Sequence, residues 1–491
     1  MSAIVILGAG AVKGQTPPAH PTAASPPAPK PTAQGPRTAI SLADAVFIGL
    51  RDNRTVKSAY ITRVSEKFDL FVAKTRFQPT ALLSADYEAG PQNGVNTTTS
   101  TINPTVTWLI PTGAQFQFSW STLNYSQSGP GGFSEGSDTA SVSVTQPLLK
   151  GGGIAVNMAP IRLAELQEKV NQLTLKSTVI DTVTNIILAY RTLLGAQEQL
   201  VIAKDSLERS RLQLATNQAL IDAGRMAASE IVQTQADIAN QQVALLEAEQ
   251  ARNSAQLALL QLLAMDLHTN IVAGDPIKVD HIPVDLDRAI GMAIDNRPDY
   301  LSQKRALEQD RINLMVAKNN RLWTLDAVGN VEYQRFRGGL TLPEQTNGIP
   351  PVVGTSATVG VQLTIPFGDH TLAQGEVQAT TALRVQQVQL DDLRQQIEAQ
   401  VRDAVQGVEL TWRRVETARL ARDLAAQTLD LEREKLRAGR TSNFEVLSFE
   451  TALRAADSQA LDAEVSYLNA ITQLDQQLGT TLDTWKITLN P

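Results

Sequence analysis

The sequence predicts a mixed α and β membrane protein built from an internal duplication, with long coiled-coil helices joined to β segments of bilayer length. Three observations predict it. The same residue patterns recur at a near-constant offset, apolar heptads run through a stretch of 63 residues free of proline after its first position, and period-two strands are too few to close a barrel in one chain.

Composition first removes other classes. The 491 residues contain no cysteine, which excludes disulfides, thiolate metal sites, a cysteine nucleophile and a lipidated N-terminal cysteine. The four histidines are scattered (His20, His268, His281, His370), so a histidine-rich metal centre is not expected. A net charge of −7 gives no basis for nucleic acid as a partner. No unbroken run approaches 18 apolar residues, which excludes a spanning helix but says nothing of a β-barrel.

Residues 1–15 read as a leader. The run IVILGAGAVKG (Ile4 to Gly14) has the look of a dinucleotide loop, but that fold needs a helix next. The chain instead enters residues 17–36, where 8 of 20 are proline, and no helix forms there. A secretory signal with a small-residue cleavage site at Ala9-Gly10-Ala11 fits better, although it lacks a basic start. Residues 16–39 then form an extended proline-rich tether.

From residue 40 the chain occurs twice, as 40–275 and 276–491. Leu42, Ala45 and Val72-Ala73-Lys74 match Leu286, Ala289 and Val316-Ala317-Lys318 at an offset of 244. Val144-Thr145-Gln146-Pro147 answers Leu363-Thr364-Ile365-Pro366 at 219, and Ala223-Gly224-Arg225 answers Ala438-Gly439-Arg440 at 215. Each half therefore runs helix, β segment, long helix, Ala-Gly-Arg turn, shorter helix. The fall from 244 to 219 places 25 extra residues inside the first β segment, the size of one more hairpin.

Residues 160–222 predict a helix of roughly 95 Å. Leu166, Leu173, Ile180, Ile187, Leu194 and Val201 recur every seven positions, a coiled-coil seam. The counterpart, about 371–437, carries Leu390, Leu393, Ile397, Val401, Val408, Trp412 and Val415 at three-and-four spacing. Gln, Ala, Thr and Asn crowd the other positions, as on an outer solvated face or a wet inner wall.

The β segments, about 79–148 and 323–366, alternate strictly. Val359, Val361, Leu363 and Ile365 alternate with small or polar residues, as do Val142 with Val144, and Phe116 with Phe118 and Trp120. The pattern fits a sandwich or a membrane barrel. Strands of about ten residues, one tight turn at Pro111-Thr112-Gly113, long polar connections at 91–100 and 339–354, and aromatics near strand ends (Trp108, Trp120, Tyr125, Trp323) favour the barrel. Roughly six strands cannot close a membrane barrel alone, and lipid does not tolerate open edges. Several copies must share one.

At this point the chain resembles the TolC-like outer-membrane efflux proteins (outer membrane factors) over about Ile40 to Trp485. SVTQPLLKGG (Ser143–Gly152), LRAGRTSNFEVL (Leu436–Leu447) and the duplicated element order carry the resemblance. It implies a homotrimer with one shared transmembrane β-barrel in the outer membrane, continued by a long periplasmic α-helical barrel. It implies partners too: outer-membrane lipid, a periplasmic adaptor, and an inner-membrane RND, ABC or MFS transporter. Such protomers typically give four strands, so the surplus leaves two forms open: six wall strands, or four plus an external hairpin. The resemblance makes Pro147 and Pro366 strand-to-helix swivels and Gly224, Arg225, Gly439 and Arg440 adaptor-docking tips. Glu445, with Glu230 at the same distance past its own tip glycine, would line a periplasmic aperture. Ser448 stands where the family places a second acid. Repeated around a trimer, Glu445 would favour cations and raise some carboxyl pKa values. Its alternative is an exposed first-turn glutamate serving the helix dipole.

No catalytic residues, cofactor or metal are expected. Gly132-Phe133-Ser134-Glu135-Gly136 satisfies a hydrolase pattern but lacks the strand-then-helix context that the nucleophile needs. His268 and His281 read as loop histidines and Asn96-Thr97-Thr98 as a chance glycosylation pattern. The expected function is an exit duct of a tripartite efflux pump or type I secretion system. The alternative is a periplasmic adaptor or coiled-coil scaffold, which would carry one hairpin flanked by lipoyl-like domains.

Overall fold

The computed structural model describes residues 38–129, 132–340 and 352–489. The expected leader and most of the tether lie outside the described residues. Strand β1 (Thr38–Ile40) leads into helices α1 (Leu42–Asp52) and α2 (Arg54–Lys74), then strands β2 (Thr80–Gln92), β3 (Val95–Leu109), β4 (Gln115–Ser128) and β5 (Phe133–Pro147). The one-turn α3 (Ile154–Asn157) precedes α4 (Ala159–Asp222), and α5 (Glu230–Leu262) returns antiparallel to it. The second half follows the same order: β6 (Ile271–Ala273), α6 (Leu286–Asn296), α7 (Pro298–Asn320), β7 (Thr324–Leu340), β8 (Val352–Thr364), α8 (Thr371–Arg437), α9 (Asn443–Leu478) and the short α10 (Thr481–Thr484). With 64 and 67 residues, α4 and α8 each reach about 100 Å.

Local chemistry sets the breaks between helices. Ser41 and Asp44 form a capping box at α1. Asn53 separates α1 from α2 by accepting the amides of Thr55 and Val56, while its amide group donates to the Leu262 carbonyl at 2.7 Å. Asp285 caps α6, and Pro298 occupies the first position of α7, where no intrahelical donor is needed.

Two apolar cores hold the helical layer. In the first, Val179, Val183, Ile186, Ile187, Leu193 and Leu194 of α4 pack on α1, α5 and β6. Within it the Tyr190 hydroxyl lies 2.7 Å from Asp275 Oδ2 and 3.0 Å from the Ile40 carbonyl, beside the parallel β1–β6 pair. In the second, Ile397, Val401, Val408 and Val415 of α8 meet Ala463, Tyr467, Leu474 and Leu478 of α9 and Ala289 and Ala293 of α6. Arg191 joins the halves, donating to the Leu468 carbonyl and to Thr472 Oγ1 on α9. Burial lowers the pKa of Arg191 to about 10, which leaves it charged at neutral pH. One 18-residue window of α4, with polar residues interspersed, is apolar enough to span a bilayer, but it is 56% buried and packs within the helical layer.

The heptad seam is only partly the buried stripe. Leu166, Ile180, Ile187 and Leu194 are buried and Leu173 is half-buried, but Val201 is 48% exposed. A straight helix has 3.6 residues per turn, so a strict seven-residue register drifts off the contact face. The stripe continues instead through Ala203, Leu207, Ser210, Gln213 and Asn217.

The six long strands form one antiparallel sheet in the order β2-β3-β4-β5-β7-β8. All six therefore belong to one sheet. They run to 13–17 residues, longer than the expected ten. The excess comes partly from residues 91–100, expected as a long polar loop and found mostly in strand. Asn93 (φ 50°) and Gly94 (φ 83°) make a two-residue hairpin turn there, and Gln92 pairs with Val95. Likewise the ends of the expected 339–354 loop continue β7 and β8, while 341–351 lie outside the described residues.

Register fixes the faces. Trp120, Ala140, Tyr333 and Thr355 share one row, and Val106, Phe118, Val142, Val331 and Ala357 the next. On β2 this face carries Ala81, Leu83, Ala85 and Tyr87. Its large side chains are exposed, among them Leu83, Ile102, Trp120, Val142, Val359 and Val361. Toward the end of the sheet far from the helices the same face turns polar, with Thr122, Asp138, Arg335 and Arg337, where Arg337 donates to Asp138 Oδ1 at 2.8 Å. The opposite face presents Ser84, Asp86, Thr105, Gln117, Ser119, Ser141, Asn330, Glu332 and Thr358, with Leu82, Leu123, Val328 and Phe336 as apolar exceptions. Tyr125, expected in an aromatic belt, lies on this polar face stacked on Phe133 at 5.6 Å, and Trp120 sits within its strand rather than at its end. Among the described residues β2 and β8 each have one neighbour, so both edges of the sheet are open.

Candidate functional site

Pro147 is the last residue of β5, and Pro366 lies two residues past the end of β8. Both stand where strand gives way to helix. Beyond Pro147 the chain stays tied to its neighbour, with the Leu148 amide donating to the Leu325 carbonyl at 2.8 Å. Asn319, the penultimate residue of α7, accepts the Gly151 amide at 2.7 Å and donates to the Leu149 carbonyl at 3.2 Å. Gly151 (φ 80°) and Gly153 (φ 96°) make the left-handed steps into α3.

The two Ala-Gly-Arg turns lie at the far ends of α4 and α8. Gly224 (φ 69°) and Gly439 (φ 71°) terminate these helices in the same way. The amides of Arg225 and Arg440 reach back to the carbonyls of Leu220 and Lys435 at 2.8 and 2.9 Å. The structure brings the tips together: Arg225 Nη2 donates to the Arg437 carbonyl at 3.0 Å. Behind them a small core of Leu429, Leu436 and Val446 is flanked by Met226, Phe449 and Leu453.

Between the hairpins lies a buried polar node that the sequence reading missed. Asn217, Thr234 and Asn443 are at most 1% exposed. The Asn217 amide donates to Thr234 Oγ1 at 2.8 Å and to Asn443 Oδ1 at 2.7 Å, and Asn443 Nδ2 donates to Thr234 Oγ1 at 3.1 Å. Gln213 supplies a further bond to Asn217 Oδ1 at 2.9 Å. The available signal was the change along the α4 stripe from aliphatic residues to Ser210, Gln213 and Asn217.

Glu445 is exposed in the first turn of α9. Ser442 Oγ accepts the Glu445 amide at 3.3 Å, and the carboxylate accepts the Ser442 amide and the Thr441 hydroxyl. The Thr441 hydroxyl, then the Ser442 amide, hold its pKa below the ordinary glutamate value. Within one chain this is a capping box. Ser448 is exposed one turn further on. Glu230 opens α5 half-buried, and its Oε2 has no hydrogen-bond partner among the described residues.

The set-aside motifs find no active site. Phe133 to Gly136 belong to β5 and are followed by more strand, not by a helix. His268 pairs with Asp266 at 2.8 Å, and His281 lies 3.5 Å from Glu409. Among the described residues no group of three or more His, Cys, Asp or Glu could hold a metal ion.

The chain matches the sequence model of outer membrane efflux proteins over residues 95–265 and 289–480. It belongs to the outer membrane efflux protein family. This efflux protein is therefore a channel of the outer membrane that extends into the periplasm, and not an enzyme. It is 23% identical over 299 residues to the alkaline protease secretion protein AprF of Pseudomonas aeruginosa, a match spanning 60% of each chain. Three solved structures share its fold. The CmeC outer membrane channel of Campylobacter jejuni superposes with a TM-score of 0.66 at 14% identity, covering 90% of this chain and 86% of that one. The open state of the MtrE outer membrane channel of Neisseria gonorrhoeae gives 0.67 at 16%, covering 90% and 89%. CusC, described with transmembrane channel formation, gives 0.68 at 13%, covering 94% and 99%.

Proposed function

We propose that three copies of this efflux protein close one β-barrel and form a passive exit duct. The single observation that carries this reading is the sheet with two open edges, one exposed apolar face and one polar face. Strand β2 runs away from the helices and β8 runs back toward them, so β2 of one copy meets β8 of the next antiparallel. Their pairing satisfies both edges, as lipid requires. The apolar face then meets lipid and the polar face lines the lumen.

In this reading the two halves are copies of one half-channel. Substrate enters from an inner-membrane RND, ABC or MFS transporter through a periplasmic adaptor docked at Gly224, Arg225, Gly439 and Arg440. Pro147 and Pro366 act as swivels between wall strand and helix. Glu445 and Glu230 form the aperture, with Ser448 adding no charge at the second level. The likeness to AprF favours a type I secretion system over a drug pump as the client. An adaptor or scaffold role is disfavoured because neither accounts for a sheet with an exposed apolar face.

Purification in detergent and reconstitution in a planar bilayer test the reading. A heat-resistant trimer that conducts ions is expected. A heat-labile monomer, or recovery in the soluble fraction, overturns it. Glu445→Ala should raise conductance and relieve cation block, and an unaltered pore would remove Glu445 from the aperture.

A further inference from the structure

We infer that each chain carries a docking site for a phosphate-bearing lipid of the outer leaflet, built on the outward side of the sheet around Arg335 and Arg337. The inference rests on the shared-barrel reading above, which turns this side to lipid, and goes beyond it in assigning a ligand.

Register places the site at the right height. On β7 the outward positions run Leu325, Ala327, Gly329, Val331 and Tyr333 before they reach Arg335 and Arg337. A strand tilted about 40° climbs about 2.5 Å per residue along a barrel axis. Trp323, exposed at the foot of β7, and Tyr333 are ten residues apart, which corresponds to about 25 Å of climb. That is the height of the apolar band of an outer-membrane barrel, which aromatic residues border on both sides. Arg335 and Arg337 then stand about 5 and about 10 Å past the far border. This is the level of the headgroups, where an outward arginine costs little.

Positive charge is concentrated there. Among the described strand residues, the charged groups of the outward side are Arg335, Arg337 and Asp138, two cations against one anion. Arg337 is held in place: its Nη2 donates to Asp138 Oδ1 at 2.8 Å, and Thr122 Oγ1 donates to the same oxygen at 3.1 Å. Arg335 is exposed and makes no hydrogen bond or ion pair among the described residues. Its donors are therefore available, and a planar guanidinium grips a phosphate through two parallel bonds. Two residues apart on one strand, the arginines have Cα atoms about 6.6 Å apart, so one phosphate can sit between both heads.

The surface around the cations suits a lipid better than a free anion. A shallow concavity joins the apolar side chains of Ile102, Trp120 and Tyr333 to Thr122, Asp138 and both arginines. Gly136, opposite Arg337, keeps it open: a Cβ there would lie 3.2 Å from Asn124 Oδ1 and 3.6 Å from Arg337 Nε. A phosphorylated headgroup with the start of its acyl chains fills both parts, whereas inorganic phosphate would use only the polar one. The site draws on β3, β4, β5 and β7 of a single chain, so a trimer carries three.

Native mass spectrometry of the detergent-purified full-length trimer tests the site with three probes: lipid A bearing its phosphates, the same lipid stripped of them, and inorganic phosphate. Up to three phosphorylated lipids per trimer are expected, held about tenfold more tightly than the stripped lipid. Arg335→Gln removes no bond among the described residues. It should weaken the phosphorylated lipid about tenfold, leave the stripped lipid unchanged and keep the trimer heat-resistant. Equal retention of the two lipids, an Arg335→Gln trimer that binds like the wild type, or competition by inorganic phosphate as effective as the lipid itself overturns the site and leaves the duct standing. A heat-labile monomer overturns the shared-barrel reading instead, and this inference with it.

Discussion

Between Val179 and Leu194, α4 buries mostly Val, Ile and Leu, with one tyrosine and two threonines (Thr182, Thr184); between Ser206 and Asn217 the same helix buries Ser, Leu, Gln and Asn. Both stretches are packed to within a few per cent of full burial, yet different physics holds them. Apolar burial is non-directional and is lost in proportion to the area exposed, so the first stretch resists any separation of its helices. The polar node is directional, and water replaces its hydrogen bonds when the helices part, so its net contribution is small per bond. The same long helix is thus rigid near the middle and separable at the end where the proposed aperture lies.

The sharpest break in this comparison is at the apolar end. Ile187 is fully buried in the first core, and Ile187→Ala should cost about 3 kcal/mol, read as a lower denaturation midpoint of the purified protein with conductance per pore unchanged. Next is Asn217→Ala, which strips partners from Thr234 and Asn443 and should cost about 1 to 3 kcal/mol. Unlike the isoleucine change, it should raise single-channel conductance, and a stable variant with wild-type current would end the distinction between the two stretches.

A smaller effect is expected from pH. Because the folded pKa of Glu445 is lowered from 4.5, its capping contribution is fully present above that value and is lost as pH falls through the lowered one. Amide exchange at Asn443 to Val446 should therefore quicken relative to the apolar core as pH falls below 4.5 and through the lowered pKa, and Glu445→Gln should flatten that dependence. The smallest stability change is expected for Arg225→Ala. Arg225 is exposed and makes one bond to the Arg437 carbonyl, so calorimetry should register under about 0.5 kcal/mol, while adaptor capture falls markedly.

Much of the architecture was legible because it is written in local periodicity and spacing. The alternation around Val142 and Val359 marked strands, the apolar spacing from Leu390 to Val415 marked a helix, and Gly224 and Gly439 marked the turns. Other features were set by longer-range contacts. The tract 91–100 reads as polar loop because Asn, Thr and Ser fill both faces of its strand, so no apolar alternation marks it, and the Asn93-Gly94 pair that decides the matter is only two residues long. The node of Asn217, Thr234 and Asn443 joins residues as far as 226 positions apart, so the polar turn of the α4 stripe at Ser210, Gln213 and Asn217 marks one side of it but not its partners. Glu445 was legible as a first-turn acid, and Ser442 three residues before it has the spacing of a capping box, but the bond from the Thr441 hydroxyl emerges only from the turn's geometry.

The open edges of β2 and β8 carry a consequence for how the protein is made. On the shared-barrel reading, a newly exported subunit bears two thirteen-residue edge strands in which about every second residue has its backbone amide and carbonyl unpaired until another subunit fills them. In isolation each edge is a template for pairing with the wrong chain. Closure needs further copies, so its rate rises steeply with the local concentration of subunits, and a dilute population spends longer in the hazardous form. Synthesis in bursts, or retention of early arrivals by a holdase, would therefore do as much for assembly as any improvement in the stability of the finished wall.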